Sequence, residues 1–151
     1  YFLRNEFNED YLYFLMILGI CIFTDIGGYF FGKIFKGPKL TKISPNKTYS
    51  GMLGGYILSI LFTFLFIINL EHLFDYSKVE NLEKEITSYN FILTIIISTA
   101  SQFGDIIVSY FKRLSNIKDT GKIIPGHGGL LDRIDGMIFA FPTSYLFFKI
   151  F

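Results

Sequence analysis

Four carboxylates stand inside, or at the edge of, stretches that are otherwise apolar. Asp25 lies in FTDIGGYFFG, Asp105 in SQFGDIIVSYFKR, and Asp132 and Asp135 in IIPGHGGLLDRID. A carboxylate in hydrocarbon costs at least about 2.5–3.5 kcal/mol on insertion scales, so such a group faces a bundle interior, a polar cavity or a cation. Taken alone, Asp25 or Asp105 could serve as a helix–helix hydrogen bond. Taken together, they suggest more. Ser98, Ser101, Gln102, Asp105, Ser109 and Lys112 recur at helical spacing and form one polar face. Asp132 and Asp135 are three apart, on one side of a first helical turn. Carboxylates gathered at one depth repel each other. A divalent cation relieves that repulsion, and hard oxygen ligands suit Mg²⁺.

Glycine supplies a second kind of chemistry. The run Pro125-Gly126-His127-Gly128-Gly129 precedes the start of an expected helix. Free N–H groups and the positive dipole end favour an anion there. Flanked by Lys112, Arg113, Lys118 and Lys122, such a loop can cradle phosphates. Acids beside it complete a site for a metal–polyphosphate complex. Gly28 with Gly32, and Gly51 with Gly55, form GxxxG pairs that suit close helix packing.

Four apolar segments must position these groups: 11–35, 51–70, 89–111 and 134–151. Each is about 18–25 residues, the length that crosses roughly 30 Å of hydrocarbon at 1.5 Å per residue. Four such segments in 151 residues leave too little polar surface for a soluble fold. The expected fold class is therefore all-α, a polytopic integral membrane protein of about four transmembrane helices whose cytoplasmic loops form the site. Residues 1–10 form an outer-side polar segment, and 11–151 the transmembrane catalytic domain. A net charge of +1 gives no field that would attract nucleic acid. Cys21, the single cysteine, can make neither an intramolecular disulfide nor a metal knuckle and is expected to be a buried small hydrophobe. The chain opens at Tyr1 without a basic run before the first apolar segment, so no signal peptide is expected, and a start without Met suggests a fragment or a processed chain.

Charge sets the orientation. Lys33, Lys36, Lys39, Lys42 and Lys47 crowd the first connection without an acid, and Lys112, Arg113, Lys118, Lys122 and Arg133 crowd the third. The connection at 71–88 carries five acids against Lys78 and Lys84. The positive-inside rule puts the two basic connections in the cytoplasm. Asp25, Asp105, Asp132 and Asp135 then all lie toward cytoplasmic helix ends. The lysine-rich first connection also suits anionic lipid headgroups.

SYFKRLSNIKDTGKIIPGHGGLLDRID, residues 109–135, resembles the signature of the CDP-diacylglycerol synthases, or phosphatidate cytidylyltransferases. Ser109, Lys112, Arg113, Lys118, Asp119, Gly121, Pro125, His127, Gly128, Gly129, Asp132, Arg133 and Asp135 stand at the signature's spacings. Residues 24–55 are similar to the family's Asp-x-Gly turn followed by a Ser-Pro-x-Lys-Thr loop, and SQFGD at 101–105 to its third stretch. The resemblance runs from about Tyr11 onward and matches the C-terminal half of a typical member.

The resemblance implies a bacterial-type inner-membrane enzyme with a cytoplasmic site. It would join phosphatidate and CTP to give CDP-diacylglycerol and pyrophosphate. It implies Mg²⁺ and room for a second cation such as K⁺. Asp105, Asp132 and Asp135 would be the catalytic acids and metal residues, with Asp105 and Asp132 sharing one ion and Asp135 close by. Asp25, Ser44, Lys47, Lys112, Arg113, Lys118, Asp119, His127, Gly128, Gly129 and Arg133 would serve substrate binding. Arg133 either contacts phosphate or locks Asp135 or Asp119. His127 either donates to phosphate or braces its loop. Ser44 and Lys47 either bind phosphate or cap the next element. Besides CTP, phosphatidate and membrane lipids, a homodimer partner is compatible with this reading. A related CTP transferase for prenol or archaeal lipids is the nearest alternative. An ion-coupled secondary transporter, from another class, would need its acids at the midplane.

Overall fold

A computed structural model of the chain describes residues 9–41, 44, 46–73, 88–117, 120–121 and 131–150, of which 9–10, 70–73, 88 and 131–133 are described in backbone only. Four helices account for nearly all of them: α1 (Glu9–Phe35), α2 (Tyr49–Leu73), α3 (Ser88–Leu114) and α4 (Leu131–Ile150). The described residues contain no strand, only an isolated antiparallel bridge between Lys39 and Thr48.

Three helices hold stretches long and apolar enough to cross a membrane: Tyr11–Phe35, Tyr49–Asn69 and Tyr89–Leu114. α4 has the length but not the composition. Asp132, Arg133 and Asp135 fill its first turns, and Lys149 stands near its end. The four expected spans are thus three apolar helices and a fourth that starts as a charged one. Much of the surface is large and apolar, including Ile22, Ile26, Leu53, Ile57, Leu61, Phe64, Ile92, Phe103, Ile138 and Leu146. Water would penalise such a surface at roughly 25 cal/mol per Å², whereas lipid does not. The protein is an integral membrane protein.

Two kinds of contact hold the helices together. Met16, Ile17, Ile20 and Cys21 of α1 pack with Leu93 and Ile97 of α3 and with Ala140 and Phe147 of α4. Tyr13 meets Phe148 edge-on at 5.1 Å, and Tyr89 meets Phe147 at 5.2 Å. α2 is joined to α3 by hydroxyls instead. Thr63 and Thr94 lie 2.9 Å apart, and Tyr56 and Thr99 also 2.9 Å. Between helices in lipid, small polar groups and close packing replace the hydrophobic drive available in water.

α1 and α2 approach through glycine. A Cβ on Gly51 would lie 2.6 Å from the carbonyl oxygen of Gly28 and 3.4 Å from Gly32 Cα. Both GxxxG pairs therefore serve packing, as their spacing suggests. Just past the end of α1, Lys36 takes a positive φ of 42° and donates its N–H to Gly32 O at 3.2 Å. α2 begins at a Thr48 cap, whose Oγ1 accepts the N–H of Gly51 at 3.1 Å. α3 ends in a left-handed Asn116 (φ 54°), with Asn116 N–H bonded to Arg113 O and Ile117 N–H to Lys112 O. That pair of bonds is the Schellman pattern, which satisfies the last carbonyls and turns the chain.

Candidate active site

The connection between α1 and α2 is short and folds back on itself. Leu40 N–H donates to Lys47 O at 2.8 Å, Lys47 N–H to Ser44 O at 3.0 Å, and Tyr49 N–H to Pro38 O at 3.0 Å. Ser44 N–H in turn donates to Thr41 Oγ1 at 3.1 Å. These bonds hold the backbone of Lys47 over the helices. Its Nζ reaches Asp105 Oδ2 of α3 at 3.0 Å. Of the two uses open to Lys47, capping falls to its neighbour Thr48, and the ammonium points to an acid.

A cavity of about 290 Å³ opens beneath this loop, between α1, α2 and α3. Asp25, Tyr29, Ser44, Asn46, Lys47, Gln102 and Asp105 line it together with backbone at Gly28 and Gly51. Beside it, Thr24 Oγ1 donates to Ser98 Oγ at 2.9 Å, in the buried α1–α3 contact. Gln102 Nε2 lies 3.4 Å from Ser98 Oγ and 3.5 Å from Met52 O. The polar face of α3 thus points inward, with Ser98 and Ser101 fully buried.

α4 meets that face through Gly104 and Gly136. A Cβ on Gly136 would lie 2.8 Å from Asp105 Oδ1 and 2.5 Å from Ser101 Oγ. A Cβ on Gly104 would lie 3.0 Å from Asp135 O. Without side chains at these positions, Asp105 is pressed against the first turns of α4. Asp135 binds Lys112 Nζ at 3.7 Å through Oδ2 and its own neighbour's N–H, that of Gly136, at 3.1 Å through Oδ1. The carboxyl of Asp135 is also a polar neighbour of Asp105, and Asp25 lines the cavity together with Lys47 and Asp105. Asp105 Oδ1 is buried without a hydrogen-bond donor among the described residues. Two carboxylates so placed repel unless a proton or positive charge offsets them, and Lys47 and Lys112 already stand against them. Carboxylate oxygens are the donor type that suits a hard divalent ion, and Asp105 and Asp135 offer two such groups. Asp105 and Asp135 alone do not make up a three-residue ligand set, and no group of three His, Cys, Asp or Glu suited to a metal occurs among the described residues.

The expected site residues thus divide. Asp25, Ser44, Lys47 and Asp105 share one cavity, and Asp135 with Lys112 adjoins it. Arg113 is exposed and makes no ion pair among the described residues, being one residue beyond the inward face of α3. Asp132 and Arg133 lie in the first turn of α4, with side chains outside the described residues, as are Lys118, Asp119, His127, Gly128 and Gly129 entirely. The described acid against Asp105 is Asp135. Tyr29 and Asn46 line the cavity and were not expected. Tyr29 could have been found, since it follows Asp25 by four residues on one helix face. Asn46 carries no such signal, because its position depends on the fold of the loop.

The sequence profile of the cytidylyltransferase family matches residues 1–151. The chain belongs to the cytidylyltransferase family. It is 44% identical over 135 residues to the phosphatidate cytidylyltransferase of Rickettsia typhi, covering 89% of this chain and 55% of that protein. It is 32% identical over 148 residues to the phosphatidate cytidylyltransferase of Bacillus subtilis, covering 97% of this chain and 50% of that protein. The chain spans about half the length of the curated relatives it matches. A solved structure described as an intramembrane enzyme for archaeal membrane lipids biosynthesis shares the fold, with a TM-score of 0.54 at 16% identity, over 85% of this chain and 75% of that one. Membership in the cytidylyltransferase family agrees with the fold class expected from hydropathy and with the resemblance carried by residues 109–135.

Proposed function

We propose that the whole protein is a phosphatidate cytidylyltransferase, working on the cytoplasmic side of a bacterial inner membrane, and that this chain carries its catalytic acids. The observation that carries this reading is the meeting of Asp105 and Asp135 on two helices, each with a lysine against it, beside a cavity that Lys47 lines. The names of relatives at 32–44% identity support phosphatidate and CTP as the substrates.

An oxygen of the phosphatidate phosphate attacks the α-phosphorus of CTP, and the bond to pyrophosphate breaks. The nucleophile is already an anion, so no strong base is needed. Asp105 and Asp135 would hold Mg²⁺, with Asp132 completing the set. When bound, the ion neutralises charge on the departing pyrophosphate. Lys47 and Lys112, each already against one of these acids, would contact substrate phosphate. Lys118, His127 and the glycines after it would embrace the remaining phosphate oxygens through N–H groups. Alignment and charge neutralisation supply the rate. A second cation such as K⁺ and assembly as a homodimer belong to the same reading.

A related CTP transferase for prenol or archaeal lipids is the second reading, and the enzyme that shares the fold is described as serving archaeal membrane lipids biosynthesis. The experiment supplies the purified intact protein with radiolabelled CTP and either phosphatidate or an isoprenoid phosphate, with Mg²⁺ or EDTA. Mg²⁺-dependent formation of CDP-diacylglycerol is expected. Transfer to the isoprenoid alone, or undiminished turnover in EDTA, would overturn the assignment.

A further inference from the structure

Lys47 stands in a particular relation to Asp105. The ammonium is 3.0 Å from Oδ2, while Oδ1 of the same carboxylate is turned into the protein toward Gly136 and Asp135. The Lys47 side chain is 28% exposed and lines the cavity, so its head borders both the acid and the open space. Its backbone is tied down by the bonds to Leu40 and Ser44, yet four methylenes let the head move by several ångströms about that anchor. Ser44, Asn46 and Thr48 border the same space from the loop, and Asp25 borders it from α1. A unit positive charge at contact distance from one ligand oxygen opposes a second cation on that carboxylate.

We infer that Lys47 and a divalent cation compete for Asp105, and that a nucleotide phosphate relieves the competition by drawing the Lys47 ammonium into the cavity. The acidic cluster then takes up a bare divalent ion poorly and a metal–nucleotide complex well. Lys47 in this way makes metal binding wait for nucleotide. This inference rests on the proposed metal role of Asp105 and goes beyond it, because that role alone says nothing of order.

The test is Mn²⁺ binding to the intact protein in lipid nanodiscs, measured as the Mn²⁺ retained with the nanodiscs after separation from free Mn²⁺ and Mn–CTP. Wild type, Lys47→Gln, Lys47→Arg and Asp105→Asn are titrated with and without CTP. Lys47→Gln is expected to bind Mn²⁺ alone about tenfold more tightly than wild type, the effect of removing a like charge worth one pK unit. The gain is expected to shrink when CTP is present, since Lys47 has then left Asp105 in wild type as well. Lys47→Arg, which keeps the cation, is expected to bind the bare ion as weakly as wild type. That arm separates charge competition from a merely loosened loop. Equal Mn²⁺ affinity in wild type and Lys47→Gln overturns the competition. A gain that is the same with and without CTP overturns the exchange. Saturable Mn²⁺ binding that is unchanged by Asp105→Asn, or no binding in any variant with CTP, instead sinks the metal reading on which the inference depends.

Discussion

Replacing Gly136 by Ala tests whether the approach of α4 to α3 builds the site. The added Cβ would lie 2.5 Å from Ser101 Oγ, 2.8 Å from Asp105 Oδ1 and 3.0 Å from Ser101 O. The hydroxyl can rotate away, but the backbone oxygen cannot. Relief to an ordinary carbon–oxygen separation of about 3.4 Å requires the helices to part by several tenths of an ångström. Overpacking of this kind costs about 1–3 kcal/mol. It also pushes on Asp105 itself and shifts Asp135 and its contact to Lys112. A displacement near 1 Å at a reacting centre can cost about 10²-fold in rate. The expected result is a melting temperature in detergent a few degrees lower and a loss of CDP-diacylglycerol formation of about 10-fold to 10²-fold. Adding Ser101→Gly removes the nearest atom and is expected to restore part of the stability, but not all, because Ser101 O remains. Wild-type turnover and wild-type melting in Gly136→Ala would refute the view that these helices touch where Asp105 and Asp135 meet.

Asp105→Asn and Asp135→Asn are each expected to lower turnover by roughly 10²–10³ while leaving membrane insertion intact, and the double variant to lose little more, since groups acting as a unit are not additive; independent losses that multiply would argue against a shared ion. Lys112→Gln is expected to reduce CTP-dependent turnover much more than Arg113→Gln, because only Lys112 contacts Asp135; equal losses in a kinetic comparison would contradict that difference. Gly51→Ala is expected to destabilise by about 1–3 kcal/mol and Gly28→Ala by much less, because their added carbons would lie 2.6 and 3.8 Å from the facing carbonyl; thermal melts of the two variants check the order. Cysteine placed at Lys42 or Lys122, in a Cys21→Ser background, is expected to resist an impermeant thiol reagent on intact cells, and cysteine at Glu83 to react; labelling at 42 or 122 from outside would reverse the proposed orientation.

Hydropathy and spacing alone decide most of the architecture. In lipid, every backbone polar group must be satisfied within the segment, so an apolar run of about 20 residues has little choice but to be a helix. Local composition therefore sufficed to place α1, α2 and α3 and to make the chain all-α. The inward face of α3 was legible too, because Ser98, Ser101, Gln102 and Asp105 repeat at helical spacing and polar groups avoid lipid. The same period separates Lys112 from Arg113, which point about 100° apart on a helix, although residue type alone had grouped them as phosphate contacts. Which acid meets Asp105 was not legible. Asp132 and Asp135 share one side of a turn, and the approach of Asp135 to Asp105 depends on the crossing of α3 and α4 at Gly104 and Gly136. Nor could spacing show that Lys47 reaches Asp105, since that pair is joined by a loop fold with no period of its own. Periodic segments reveal a face because their geometry repeats. A contact between elements depends on where two surfaces can approach most closely, and here missing side chains at glycines decide that.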